Sequence, residues 1–146
     1  MPGSERGSIL LVEDNANDMA LAKLALRQSG YADEILTARD GAEALDMIFG
    51  RGGDESHDRV RPDVILLDLK MPGLEGLSLL GWIRSHADVR LTPVIVFSSS
   101  DDPADIRGAY ELGANAYVRK PAKAEAYIDT VRTIVDFWHK VNQVAR

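Results

Sequence analysis

Five polar residues stand where they could do chemistry together, each at the end of a short strand-like run. Glu13 and Asp14 follow Ile9–Val12, Asp68 follows Val64–Leu67, Ser98 follows the run 93–97, and Lys120 follows Ala116–Arg119. Three carboxylates crowded together repel one another, and a hard divalent cation with oxygen ligands is the simplest relief. A lysine and a hydroxyl beside that cation suit the oxygens of a phosphoryl group. The set therefore reads as a site that holds Mg²⁺ and a phosphoryl group together, with Asp68 as a carboxylate nucleophile.

Convergence of these residues depends on the elements between them. Val64–Leu67 is a continuous apolar run, as expected of a strand buried on both faces. Ile9–Val12, Ile35–Ala38, the run 93–97 and Ala116–Arg119 read as the other strands. Segment 16–29 carries Met19, Leu21, Ala22, Leu24, Ala25 and Leu26 on one helical face, with Gly30 as its stop. Gly41–Phe49 places Ala44, Leu45 and Ile48 at helical spacing. Segment 74–86 has Leu77, Leu80, Trp82 and Ile83 as its apolar set, and 103–112 starts on Pro103 and stops at Gly113. A last helix starts near Ala122 and extends almost to the end. The polar stretch 50–61, with Gly50, Gly52 and Gly53, reads as a loop lengthened by an insertion. Strands alternating with helices imply a parallel α/β sheet covered on both faces. In such a sheet, ligands bind at the carboxyl ends of the strands, where all five polar residues fall.

Composition narrows the classes. A chain of 146 residues accommodates one domain with a sizeable core. It has no cysteine, so thiolate metal sites and disulfides are excluded. The net charge of −6 argues against a nucleic-acid partner, which needs a basic patch. The small, polar residues 1–7 read as a flexible N-terminus without the apolar core of a signal peptide, and no later stretch is apolar enough to span a bilayer. The expected location is cytoplasmic. His57, His86 and His139 are isolated and expected on the surface.

The ordered segments "LLVEDN", "VILLDLKMPGLEG", "PVIVFSSS" and "AYVRKP" resemble the response-regulator receiver family of two-component signalling. The resemblance spans roughly residues 8–138, leaving 139–146 as a C-terminal helical extension. It implies a flavodoxin-like fold with strand order 2-1-3-4-5. It further implies that Asp68 accepts a phosphoryl group from a histidine kinase. Asp14 then matches a direct Mg²⁺ ligand, Glu13 an acid acting through water, and the Lys70 carbonyl a backbone ligand. Ser98 matches a hydroxyl that moves to the phosphoryl oxygen, Lys120 the lysine pairing with it, and Tyr117 an aromatic whose rotamer follows Ser98. Lys70 and Ser100 flank the site at positions where the family tunes dephosphorylation. Pro72 and Gly73 match the turn after the acceptor, and the peptide before Pro121 is commonly cis in the family. The longer loop and the "DFWHKV" tail resemble the receivers that partner phytochrome-type kinases.

Plainer readings exist. A Glu-Asp pair after a strand is often a solvated turn, and a tyrosine on an edge strand often packs with its hydroxyl in water. A haloacid-dehalogenase-like phosphatase also uses an aspartyl nucleophile and Mg²⁺, but usually has an acid two positions on, where this chain has Lys70. A flavodoxin-like flavin binder would need a phosphate-cradling loop where Glu13-Asp14-Asn15 stands. In the tail, Tyr127, Ile128, Val131, Ile134, Val135, Trp138, Val141 and Ala145 recur at helical spacing and should pack largely on the sheet. Phe137, Trp138, Val141 and Val144 lie at or past the usual end of a receiver. They either fold back on their own domain or form a homodimer surface. The expectation is a single-domain response regulator, not an enzyme, that relays phosphate to, or docks on, a downstream protein.

Overall fold

The computed structural model describes residues 8–30, 35–50, 60–70, 76–143 and 145. Five strands, β1 (Ile9–Val12), β2 (Ile35–Ala38), β3 (Val64–Leu67), β4 (Val94–Ser98) and β5 (Ala116–Arg119), form one sheet in the order 2-1-3-4-5, every pair parallel. Between and after them run α1 (Ala16–Gln28), α2 (Gly41–Phe49), α3 (Gly76–Ser85), α4 (Pro103–Glu111) and α5 (Ala124–Val135). This is the expected flavodoxin-like arrangement. Pro72 and Gly73 lie outside the described residues, as does most of the loop 50–61.

The alternation of side chains along each strand sorts the core into two layers. Ile9, Leu11, Val64, Leu66, Ile95 and Phe97 pack with α1 and α5, against Met19, Ala22, Leu26, Tyr127 and Val131. Leu10, Val12, Ile65, Leu67 and Val94 pack on the other face with Ala44, Ile48, Leu79, Leu80 and Ile83. Burying one such aliphatic side chain contributes roughly 1.5–3 kcal/mol, so the three central strands lock the sheet on which the site depends.

Capping sets where helices start. The Asn15 side chain accepts from the Asp18 amide at 2.9 Å and starts α1 directly after Glu13-Asp14. Asp40 caps α2 in the same way, and Asp102 caps α4 ahead of Pro103. A second fastener is Arg84 in α3. Its guanidinium, its pKa lowered by burial, donates to the carbonyls of Gly113, Arg90 and Thr92 and to Asn115 Oδ1.

Four sequence expectations need correction. Trp82 is 50% exposed and Leu79 takes its place in the core, because the α3 stripe runs through Leu79, Leu80 and Ile83. Leu24 is likewise exposed on α1. His86 is half-buried, its ring centroid 4.4 Å from that of Phe49 and 5.5 Å from that of Trp82. The last helix starts at Ala124 and widens after Val135 into a π-helical turn, Asp136–Val141, closed by the Asn142 amide donating to the Phe137 carbonyl at 2.7 Å. Trp138 in that turn packs on the α1/α5 layer, whereas Phe137 and Val141 are 47% and 67% exposed. Val144 lies outside the described residues.

Candidate functional site

The ladder carries the functional residues past the strand ends. The Glu13 amide donates to the Ala38 carbonyl at 3.0 Å, the Asp68 amide to Val12 at 3.0 Å, and the Lys120 amide to Ser98 at 2.8 Å. Val12 pairs with Leu67 in register, which puts Glu13 and Asp68 side by side. Both follow the α1/α5 side of their strands and line one small cavity with Leu11, Leu66, Phe97 and Tyr127. Lys120 follows Ala116 and Val118, which pack in the same layer. Tyr117 belongs to the opposite face, beside Leu69, Val96 and Ala109.

Glu13, Asp14 and Asp68 each offer a carboxylate oxygen within 4.8 Å of the others. Lys120 Nζ lies 2.7 Å from Glu13 Oε1 and 3.6 Å from Asp68 Oδ2. It also lies 3.0 Å from Asp18 Oδ2, a residue that sequence reasoning missed. Asp18 stands in the first turn of α1, four residues past Asp14, and its carboxylate reaches the same edge. An open cleft of about 550 Å³, lined by Asp18, Ser99, Arg119, Lys120 and Tyr127, borders this cluster.

Electrostatics follow from burial. Glu13 is pushed up to about 7, chiefly by desolvation and further by the Asp68 charge, with the Lys120 hydrogen bond opposing. Burial raises Asp68 as well, with Lys120 and the Lys70 amide opposing. Burial pulls Lys120 down, but Glu13, Asp18 and Asp68 more than offset it, and the net shift is upward. The pocket is thus short of positive charge. Its hard oxygen donors, with Lys120 the one ammonium among them in the described residues, fit a divalent cation of the Mg²⁺ type.

On the other side of Asp68, the Lys70 amide donates to Asp68 Oδ1 at 3.3 Å. Ser98 is fully buried, and its hydroxyl oxygen accepts from the Ser100 amide at 3.2 Å. The Tyr117 hydroxyl donates to the Ser100 carbonyl at 2.9 Å, so it is bonded to protein and not left to water. Ser100 Oγ donates to Asp105 Oδ2 at 2.6 Å, and Lys70 Nζ lies 3.7 Å from the same oxygen. Asp68, Ser98 and Tyr117 are therefore linked through Ser100 and Lys70. No peptide bond among the described residues is cis, so the bond before Pro121 is trans, contrary to the expectation from resemblance.

Comparison with known proteins places this geometry. The model of the response regulator receiver domain matches residues 9–132. Response regulator Rcp1 from Synechocystis sp. is 34% identical over 130 residues, covering 89% of this chain and 87% of its own. A crystal structure of Rcp1 in its Mn²⁺-bound form superposes with TM-score 0.87 at 31% identity, covering 96% of this chain and 99% of the other. That of the phosphorylated cyanobacterial phytochrome response regulator RcpA gives 0.88 at 35%, covering 97% and 99%. The chain belongs to the response regulator receiver domain family of two-component signalling. Among the described residues, no helix is long and apolar enough to cross a membrane.

Proposed function

We propose that this chain is a single-domain, cytoplasmic response regulator. It accepts a phosphoryl group on Asp68 from a sensor histidine kinase, of the phytochrome type, in a Mg²⁺-dependent reaction. The observation that carries this reading is the approach of three carboxylates within 4.8 Å beside one buried lysine. The similarity to Rcp1 and to the phytochrome response regulator RcpA supports the choice of kinase.

In the transfer, an Asp68 carboxylate oxygen attacks the phosphorus and the P–N bond to the kinase histidine breaks, returning the electron pair to the imidazole. When bound, Mg²⁺ neutralises charge on the phosphoryl oxygens. Asp14, Asp68 and the Lys70 carbonyl would hold it directly, with Glu13 acting through water. The Lys70 amide orients Asp68, and Lys120 supplies an ammonium for a phosphoryl oxygen. Ser98 would turn its hydroxyl toward the phosphoryl group, giving up the Ser100 amide that it now accepts. Tyr117, bonded to the Ser100 carbonyl, is placed to report that change on the outer face of β5. The protein acts by contact, docking on or relaying phosphate to a downstream protein, and is a kinase substrate with slow self-dephosphorylation instead of an enzyme.

Incubation with a small phosphodonor and Mg²⁺ tests the core of the reading. One phosphate, labile to hydroxylamine, is expected on the wild type and none on Asp68→Asn. Ser98→Ala should still take phosphate but lose the NMR shift of Tyr117. A labile phosphate on the Asn variant sinks the assignment.

A further inference from the structure

Lys120 has three carboxylate partners, but only two of them belong to the acidic cluster. Glu13 and Asp68 share oxygens in that cluster with Asp14, whereas Asp18 does not. At rest the ammonium lies against the very carboxylates that a cation would recruit. Its side chain is 10% exposed, so it cannot simply turn out into water. A cation entering the cluster must displace it, and like charges in a buried pocket repel strongly.

Asp18 is built to receive it. Its amide is held by the Asn15 cap at 2.9 Å, and its carbonyl accepts from the buried Tyr127 hydroxyl at 3.1 Å. The Asp18 backbone is thus fixed at both ends, and its carboxylate, 28% exposed on the side chain, lies at 3.0 Å from Lys120 Nζ on the open cleft. We propose that Asp18 is a positioning residue for the metal step. It is the counter-ion that keeps Lys120 when a divalent cation takes Glu13 and Asp68, and so holds the lysine at the site without leaving it to compete for the metal's ligands. This rests on the Mg²⁺ reading given above.

The consequence is measurable without any phosphate. Asp18→Asn removes one charge and almost no volume, and leaves the Asn15 and Tyr127 bonds in place because both use Asp18 backbone atoms. In that variant Lys120 leans wholly on Glu13 and Asp68, and Mg²⁺ affinity should fall on the order of tenfold, the low end of what outer-sphere partners of a metal site carry. The effect must act through the lysine. In a Lys120→Met background the same change should move Mg²⁺ affinity less than about twofold, the non-additivity expected of groups in contact. Calorimetric Mg²⁺ titration of the wild type, both single variants and the double variant closes the cycle. Initial rates with a small phosphodonor give a second readout: Asp18→Asn should raise the Mg²⁺ concentration for half-maximal rate and leave the rate at saturating Mg²⁺ near that of the wild type. Wild-type binding with equal affinity in Asp18→Asn overturns this inference alone. So does an equal loss with and without Lys120, which would make Asp18 a distant charge and nothing more. No Mg²⁺ binding by the wild type overturns the metal reading and this inference with it.

Discussion

Gly76 lies against the backbone of Asp68. Its amide donates to the Leu69 carbonyl at 3.1 Å, and a Cβ at this position would fall 2.7 Å from the Leu69 Cα and collide with the Asp68 carbonyl oxygen. The start of α3 is thus pressed onto the loop that carries the phosphoacceptor, with no room for a side chain. Gly76→Ala should cost roughly 1–3 kcal/mol of stability, as overpacking does, and slow phosphorylation by displacing Asp68. Gly81, in the same helix, has nothing within 4 Å of such a Cβ. Gly81→Ala should be neutral or stabilise by up to about 1 kcal/mol, because alanine is the better helix former. Denaturant melts of the two variants make the comparison. Equal effects at both positions would contradict the close approach.

The acidic cluster imposes a pH dependence on the metal-free protein. Folding raises Glu13 from an ordinary 4.5 to about 7, mainly by burial, and raises Asp68 for the same reason. A raised carboxyl favours the fold below its unfolded pKa, and that contribution is lost as the pH rises through the folded value. Lys120 is protonated in both states over this range and adds no slope. In chelator, stability should therefore decline from about pH 5 to about pH 8 by at most a few kcal/mol. Glu13→Gln should flatten the decline, and saturating Mg²⁺ should reverse part of it. Thermal melts across this range supply the check; a melting temperature that rises with pH in chelator would count against the charge shortage inferred for the pocket.

The tail poses the question of self-association. Trp138 is engaged with its own domain, so a homodimer surface would be built on Phe137 and Val141, which lie exposed on the π-helical turn. Burying both on two copies contributes several kcal/mol at roughly 1.5–3 kcal/mol each, set against an association cost of comparable size. The proposal is a dimer at micromolar concentration, converted to monomer by Val141→Glu with phosphorylation at Asp68 intact. Sedimentation decides it. A wild-type monomer in both the resting and phosphorylated states would remove the dimer.

The approach of Glu13, Asp14, Asp68 and Lys120 was legible because each stands just past a short strand and a parallel sheet aligns such ends, whereas the strand order came from the family resemblance. Asp18 was not legible. Its importance comes from a fold-back of β5 onto α1 across more than a hundred residues, and a lone aspartate in a first helical turn reads as dipole compensation. Trp82 was misread because it stands at helical spacing from Leu79, yet the buried face of α3 runs through Gly76, Leu79, Leu80 and Ile83, and Trp82 borders a surface pocket with Leu45 and Phe49 of α2. The end of the last helix was hidden for a different reason. A π-helical turn shifts the register by a fraction of a turn, and a constant-period projection of 124–145 cannot contain it. Phe137 and Val141 therefore face outward beside a Trp138 that faces in.

The parallel register also divides the molecule into an edge that must be spelled letter by letter and an edge that can be rewritten. Val12 opposite Leu67 and Val96 opposite Leu67 fix the level at which Asp68 emerges, and a one-residue deletion within β3 would turn its carboxylate to the other side of the sheet. The connection from α2 re-enters the sheet at the opposite, amino edge, where the Asp63 amide donates to the Ser8 carbonyl at 2.9 Å. Length added to that connection carries only the slowly growing entropy of a longer loop. None of Glu13, Asp14, Asp68, Ser98 and Lys120 stands at that amino edge, so a change of length there should leave the level at which Asp68 emerges as it is.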